Sequence, residues 1–493
     1  MRNIRASLVA IGIASLVGSD GAVAQFSNAF AFGDSLSDAG QYGSRFTTNP
    51  GLTFPMYLSE RYGLSMGPSF QGGNDYGQGG ARVNSPSPLI PSNAPNISIA
   101  QQVSQFLAKG PLDPNALYQI QGGANDILVL AGQAAQIGPA AVQAGVTQAA
   151  LDLATQVARL QAAGARYLVV YNMPDIGKSP AAAAQNAQAT FTSLSSLFNS
   201  TFNAALANAN LQIIQVNTFA LLNEIVANPS AFGFVNITTP VCTTPSALTC
   251  TPSTLRDPNG NLTWAFADGV HPTTGLALIQ AQAAASMIEG PAQMSVLAEA
   301  PLGVEAANFR AIDARMISGI NSPRPMSKYE VWGAYDYGNN DFNGNFLSGN
   351  ADLNTLTVGG DIKLSPQLLV GAMFGYTENK GDFGGSTGGY KLKETSGTVY
   401  AGFGPPPWWF GATLGAGDLD YSGIHRDITL GALTRSETAD ARGWHVMASV
   451  LGGYWFIPSP DWQHGPWVRV SYQDIHVHSF SENGADSTAL SYG

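Results

Sequence analysis

Residues 29–38 read Ala29-Phe30-Ala31-Phe32-Gly33-Asp34-Ser35-Leu36-Ser37-Asp38. The first four residues are a compact apolar run of the kind that forms a buried strand, and Gly33 opens a turn directly after it. Working outward, Leu117 to Gln121, Tyr167 to Tyr171 and Leu211 to Val216 repeat the form, each ending in or near Gly, Asn or Pro. Between them, Ile127 to Ala163 and Ala181 to Ala207 are rich in good helix formers, with Gly138, Pro139 and Gly145 expected to split the first. Strands alternating with helices predict a parallel sheet with helices on both faces, a three-layer α/β/α fold. Ligands of such sheets bind at the carboxyl ends of the strands, where Ser35 stands.

After residue 327 the period changes to two. Asn354 to Leu364 places Leu356, Val358, Ile362 and Leu364 on one face and Thr355, Thr357, Asp361 and Lys363 on the other. Trp467 to Gln473 sets Val468, Val470 and Tyr472 against Arg469, Ser471 and Gln473, and Arg442 to Phe456 alternates more loosely. Two-faced strands of this length, broken by Gly, Asn and Asp and edged by Tyr and Trp, predict an antiparallel transmembrane β-barrel; the rival is a soluble sandwich. Composition favours lipid. Only 11% of the 493 residues are charged, against about 25% in soluble domains. Roughly eight strand-like runs follow Tyr329, and the chain stops at Ser491-Tyr492-Gly493 inside another. Because a barrel must close to pair its backbone in lipid, an incomplete barrel is expected. Pro291 to Pro325 holds a candidate helix, Val304 to Ile317, which either threads the barrel lumen or serves as a linker.

The chain opens with Arg2 and Arg5, the apolar run Leu8 to Val17 and the small-residue pattern Ala22-Val23-Ala24, the layout of a cleavable signal peptide. The organisation expected is therefore a signal peptide at 1–24, an α/β passenger at 25–290, a linker or lumen helix at 291–327 and the barrel at 328–493. A net charge of −11 argues against nucleic acid as a partner, since duplex binding needs a basic face to displace counterions. Cys242 and Cys250, in a Thr/Pro-rich stretch of an exported chain, are expected to form a local disulfide.

The chemistry is narrowed by counting histidines. There are six, and His271 is the sole one before His425; the other four are His445, His464, His476 and His478. A hydroxyl in the α/β half activated by an imidazole must use His271 as its base. His271 lies in Asp268-Gly269-Val270-His271-Pro272, so Asp268 can meet one ring nitrogen and leave the other for Ser35. The competing reading is an Asp that caps a turn, followed by a surface histidine. Gly122-Gly123-Ala124-Asn125-Asp126 follows a strand end, and Asn125 can offer its amide to a developing oxyanion or cap the next helix. Asp75 to Ala81 is a glycine loop able to present a backbone N–H. Asp38, Asp126 and Asp175 read as turn or cap residues, and Phe191, Phe198 and Phe202, at helical spacing, as core or as an acyl groove. With no ligand-spaced cluster of His, Cys and carboxylates in the α/β half, no metal or other cofactor is expected.

In this order the four blocks resemble the GDSL or SGNH hydrolase family over most of residues 27 to 285. The resemblance implies that Ser35 attacks an ester carbonyl, His271 takes and returns the proton and Asp268 orients His271. It implies an oxyanion hole of the Ser35 backbone N–H, a glycine N–H and Asn125. The family's glycine block usually opens with Asn, whereas Asp75 stands here; Gly80 is assigned as the oxyanion glycine, with Gly79 as fallback. The barrel resembles the autotransporter translocator, which has more strands than are counted here and which implies insertion by the outer-membrane assembly machinery. The expected activity is hydrolysis of carboxylic or lipid esters at the cell surface. Rival substrates are polysaccharide O-acetyl groups and phospholipids; an adhesin with a vestigial triad would be expected to carry solenoid repeats, and none is found.

Overall fold

The computed structural model describes residues 5–11, 25–321, 325–344, 347–459 and 462–493. The signal-peptidase pattern Ala22-Val23-Ala24 lies outside them. Strands β1 (Ala29–Phe32), β2 (Leu117–Ile120), β3 (Tyr167–Tyr171) and β4 (Ile214–Val216) pair in parallel, in sequence order. Successive residues of β2 and β3 enter different cores. Tyr118, Ile120, Leu168 and Val170 pack with helices Ile99–Leu107, Pro139–Ala162 and Gln188–Asn208, while Leu117, Val169 and Tyr171 pack with Phe54–Arg61 and the start of a long helix from Thr274. Burial on both faces is why these strands read as largely apolar runs, with the buried Gln119 of β2 accepting from the Tyr171 hydroxyl at 2.9 Å.

Two expectations about breaks need correction. Gly138, with φ +78°, and Pro139 do separate helices, but Gly145 stays inside Pro139–Ala162. Its lack of a side chain serves packing, since a Cβ there would lie 2.8 Å from Leu130 Cδ1 on the neighbouring helix. Val304 to Ile317 is part of one helix, Thr274–Asn321, which begins in the α/β half and carries Pro291 and Pro301 in its interior. Each interior proline costs about 3 kcal/mol in a free helix. Here burial offsets it, because Met294, Leu297 and Val304 pack on Leu353, Leu392 and Leu419 of the second half.

That second half is an antiparallel sheet of β5 (Tyr329–Gly344), β6 (Leu347–Ser365), β7 (Leu368–Asp382), β8 (Gly388–Phe403), β9 (Trp408–Leu430), β10 (Leu433–Tyr454) and β11 (Trp467–Val477). Among the described residues these are seven long strands where roughly eight runs were expected; the short pair Phe456–Ser459 and Trp462–His464 joins β10 to β11, and Ser491–Tyr492, expected to belong to a further barrel strand, pairs instead with Phe480–Ser481. The strand Arg5–Ile11 lies antiparallel beside β11. The faces of the sheet exclude a sandwich. Leu356, Val358 and Leu364 are outward and half exposed, while Thr355, Thr357, Asp361 and Lys363 are buried inward. A sandwich would turn its apolar face in, whereas a sheet in lipid turns it out. The inner face packs on the long helix, where Arg315 pairs with Asp361 and Glu330, and Lys363 Nζ donates to the Ile320 carbonyl at 3.0 Å. No described helix is long and apolar enough to cross a membrane.

Candidate active site

Ser35 sits on the turn after β1, and two buried glutamines hold that turn. Gln102 accepts from the Gly33 N–H (2.9 Å) and donates to the Gly33 carbonyl (2.8 Å), while Gln121 Nε2 donates to Asp34 Oδ1 at 2.8 Å and Ser37 Oγ at 3.1 Å. Gly33 is required, because a Cβ there would lie 2.6 Å from Gln121 Nε2. Burial raises the Asp34 carboxyl above its ordinary range, against the pull of Gln121 and the Leu36 N–H.

His271 Nε2 lies 2.9 Å from Ser35 Oγ, and His271 Nδ1 lies 2.8 Å from Asp268 Oδ2. A tight turn brings this about, with the Ala267 N–H donating to the His271 carbonyl at 2.8 Å. Asp268 Oδ1 accepts from the N–H groups of Val270 (3.0 Å) and His271 (2.9 Å). The carboxylate thus caps its turn and also reaches the ring. Burial works to raise Asp268, but the His271 ring and the backbone donors outweigh it and hold the carboxyl at about 2. The Phe46 ring, 4.8 Å from the imidazole, walls it from one side.

Around Ser35 stand the candidate oxyanion donors. The Ser35 and Gly80 N–H groups have no hydrogen-bond partner among the described residues. The Gly79 N–H, by contrast, donates to Asp38 Oδ2 at 2.8 Å, so the fallback glycine is already engaged. Gly80 has φ +83°, a conformation glycine adopts without strain. Asn125 does not cap its helix, whose N-cap is Gly123. Its Nδ2 donates to the Ala81 carbonyl at 2.9 Å, which ties the Asn125 turn to the glycine loop.

Carboxylates that read as plain turn residues organise that loop. Asp38 also accepts from the Gly40 and Gln41 N–H groups, and Asp126 takes Arg82 Nε and the Val83 N–H, both at 2.9 Å. Asp75, in the position where the family carries Asn, accepts from the Ala39 and Gly77 N–H groups. Burial raises Asp38 to about 6 and, with the repulsion of Asp38, lifts Asp75 well above the carboxylate range. The Gly40, Gln41 and Gly77 contacts are local turns, but spacing carried no signal for those of Gly79 with Asp38, Ala39 with Asp75, or Arg82 and Val83 with Asp126, which join segments distant in the chain.

The cleft beside Ser35 and His271 measures about 410 Å³, and its apolar lining includes Leu89, Leu128, Ile176, Leu222, Leu248 and Phe266. Phe191, Phe198 and Phe202 are instead buried in the core, so the phenylalanine stripe forms no groove. Among the described residues no group of three or more His, Cys, Asp or Glu could hold a metal.

Cys242 and Cys250 are joined in a disulfide, and the loop between them reaches the site. Its Ala247 N–H donates to Asp268 Oδ2 at 2.7 Å, and Asn49 Nδ2 holds the Ala247 carbonyl at 3.0 Å. A hydrogen bond to a charged group contributes about 1.5–3 kcal/mol. Thiol reduction, or Cys242→Ser, is therefore expected to lower the unfolding free energy by about 1.5 kcal/mol or more, measured by denaturant unfolding before and after reduction.

Comparison with known proteins gives two family models side by side. The GDSL-like Lipase/Acylhydrolase model matches residues 30–284, and the Autotransporter beta-domain model matches residues 331–493. Among curated proteins, Esterase EstA of Pseudomonas aeruginosa is 30% identical over 95% of this chain and 79% of its own length. An uncharacterized protein of Pseudomonas putida from the trpE-trpG intergenic region is also 30% identical, over 95% of this chain and 83% of its own. Lipase 1 of Photorhabdus luminescens is 25% identical, over 95% and 80%.

Proposed function

The chain belongs to the GDSL-like lipase/acylhydrolase family and is an ester hydrolase displayed from the outer membrane by an autotransporter β-domain, and from that premise we propose that it cleaves acyl esters by a Ser35-His271-Asp268 triad. One observation carries the reading: an unbroken relay, 2.9 Å from Ser35 Oγ to His271 Nε2 and 2.8 Å from His271 Nδ1 to Asp268 Oδ2, opening into an apolar cleft.

His271 Nε2 takes the hydroxyl proton as Ser35 Oγ bonds to the ester carbonyl carbon, and the carbonyl electrons move onto oxygen. That oxyanion is met by the N–H groups of Ser35 and Gly80 and by Asn125. The tetrahedral centre collapses, His271 gives the proton to the departing alkoxide, and an acyl group remains on Ser35. Water, deprotonated by His271, then repeats the sequence and frees the acid. Asp268, held as a carboxylate near pKa 2, keeps a proton on Nδ1 and stabilises the imidazolium.

The leucine-rich lining supports esters with an extended acyl chain over polysaccharide O-acetyl groups. The charged, apolar, small-residue order of residues 1–24 supports removal of that leader on export, and the lipid-facing sheet supports insertion by the outer-membrane assembly machinery. We place the passenger at 25–290, the connecting segment at 291–327, inside the continuous helix for most of its length, and the β-domain at 328–493.

The test is hydrolysis of p-nitrophenyl esters of graded chain length by the full chain in outer membranes, followed by labelling with an alkyl fluorophosphonate. Turnover with label on the Ser35 peptide is expected; label on another residue would overturn the assignment. Asn125→Ala is expected to lower kcat by about 10²–10³ with little change in KM, because it removes a donor used chiefly in the transition state.

A further inference from the structure

The turn between β9 and β10 does not end in solvent. Ile428 and Leu430 are buried in one apolar cluster with Leu221, Leu222, Phe232 and Phe266 of the passenger. At the tip, the Gly431 N–H donates to Gln282 Oε1 at 2.7 Å and the Ala432 N–H to the Phe232 carbonyl at 3.3 Å. Gly431 has φ +64°, and a Cβ on it would lie 2.6 Å from the Phe232 carbonyl oxygen and 2.8 Å from Ile279 Cδ1. Beside it, Arg435 Nη1 donates to Glu224 Oε2 at 2.8 Å. The fit is close and polar-locked at its rim.

What the tip touches is the back of the cleft wall. Leu222 lies on the helix Thr218–Ala227, which Arg435 grips through Glu224, and Leu222 also lines the cleft. Phe266 lines the cleft too and stands two residues before Asp268. We infer that the β9–β10 hairpin is a specificity-determining buttress: packed behind Leu222 and Phe266, it fixes the acyl wall, so that the β-domain sets which chain lengths the esterase accepts. The inference rests on the reading that the Ser35 cleft seats the acyl chain. Close-packed interiors transmit such support, and a wall that loses its backing relaxes toward the gap. A methylene seated on a firm apolar surface contributes about a fourfold factor in kcat/KM, whereas an acetyl group, confined to the oxyanion hole, gains little from the wall.

The experiment uses the full chain displayed on cells and reads kcat/KM for p-nitrophenyl octanoate divided by that for the acetate, a ratio independent of the amount displayed. Wild type is compared with Gly431→Ala and with the double variant Leu430→Ser, Leu433→Ser, Leu433 being half-buried against the same cluster, and Ser35→Ala runs in parallel. The ratio is expected to fall about tenfold in both hairpin variants, with acetate turnover held within twofold. An unchanged or raised ratio overturns the inference, and if the double variant fails to reach the surface the Gly431→Ala result decides alone. Octanoate turnover surviving in Ser35→Ala would instead sink the cleft reading itself, a separate outcome.

Discussion

Ser35→Ala is expected to abolish all but a trace of ester hydrolysis, lowering kcat by about 10⁴-fold or more while leaving KM within a few-fold. The asymmetry follows from what the hydroxyl touches. Its one hydrogen-bond partner among the described residues is His271 Nε2, at 2.9 Å, so no structural contact is lost with it. The alanine keeps the backbone N–H and the cleft, and with them ground-state binding. Lost is the covalent route, since His271 alone must then activate water against an ester positioned for a different attacker. The residual rate expected is that of the proposed oxyanion donors, Gly80 and Asn125, and of the cleft. Initial rates on a mid-length p-nitrophenyl ester, with circular dichroism to show an unchanged fold, check this. A Ser35→Ala rate within tenfold of wild type would remove the nucleophile assignment.

The meeting of Ser35, His271 and Asp268 was legible because a hydroxyl–imidazole–carboxylate relay constrains residue type more tightly than packing does. A lone histidine in the α/β half, three residues after Asp268, left His271 as the single imidazole available. The strand-to-glycine transition at Phe32-Gly33 placed Ser35 at a sheet edge because a fully buried strand has to be apolar on both faces. The cleft was not legible. Leu89, Leu128, Ile176, Leu222 and Leu248 come from separate loops and helices, and nothing in a local window distinguishes a lining leucine from a core one. For the same reason Phe191, Phe198 and Phe202, whose spacing promised a shared face, spent that face on the core. That the Gly79 N–H is already engaged likewise needed three dimensions, since Asp38, which accepts it, lies about forty residues away. In the second half the alternation of residues 354–364 was plain, but which face looked outward had to be read from the low charge of the chain rather than from the alternation itself. Period two carries no sign, and burial of Thr355, Thr357 and Asp361 with exposure of Leu356 and Val358 supplies it.

Asp268→Asn is expected to lower kcat by about 10⁴-fold although it changes one atom, and the hydrogen bonds around the carboxylate say why. Asp268 Oδ1 accepts two backbone N–H groups, from Val270 and His271, whereas Oδ2 accepts one, from Ala247. Asparagine has a single acceptor oxygen, and the side with two donors claims it. Its NH₂ then occupies the Oδ2 position, 2.8 Å from His271 Nδ1, competes there with the retained oxygen at 2.9 Å, and where it donates to that nitrogen sets the wrong tautomer. The proton is driven onto Nε2, which now donates toward Ser35 Oγ and can no longer take its proton. The same substitution sets the Ala247 N–H against the new N–H donor, so stability falls as well. A pH titration separates that cost. The wild-type carboxyl, depressed from 3.8 to about 2, contributes stability that is full above pH 4 and is lost as pH falls through 2. The gap in unfolding free energy between wild type and Asp268→Asn, about 2 kcal/mol or more at neutral pH from this term, should therefore narrow as pH falls from 4 toward 2. If Asp268→Asn turns over esters within tenfold of wild type, Asp268 does not set the tautomer, and the orienting role passes to the turn itself, through the hydrogen bond from the Ala267 N–H to the His271 carbonyl.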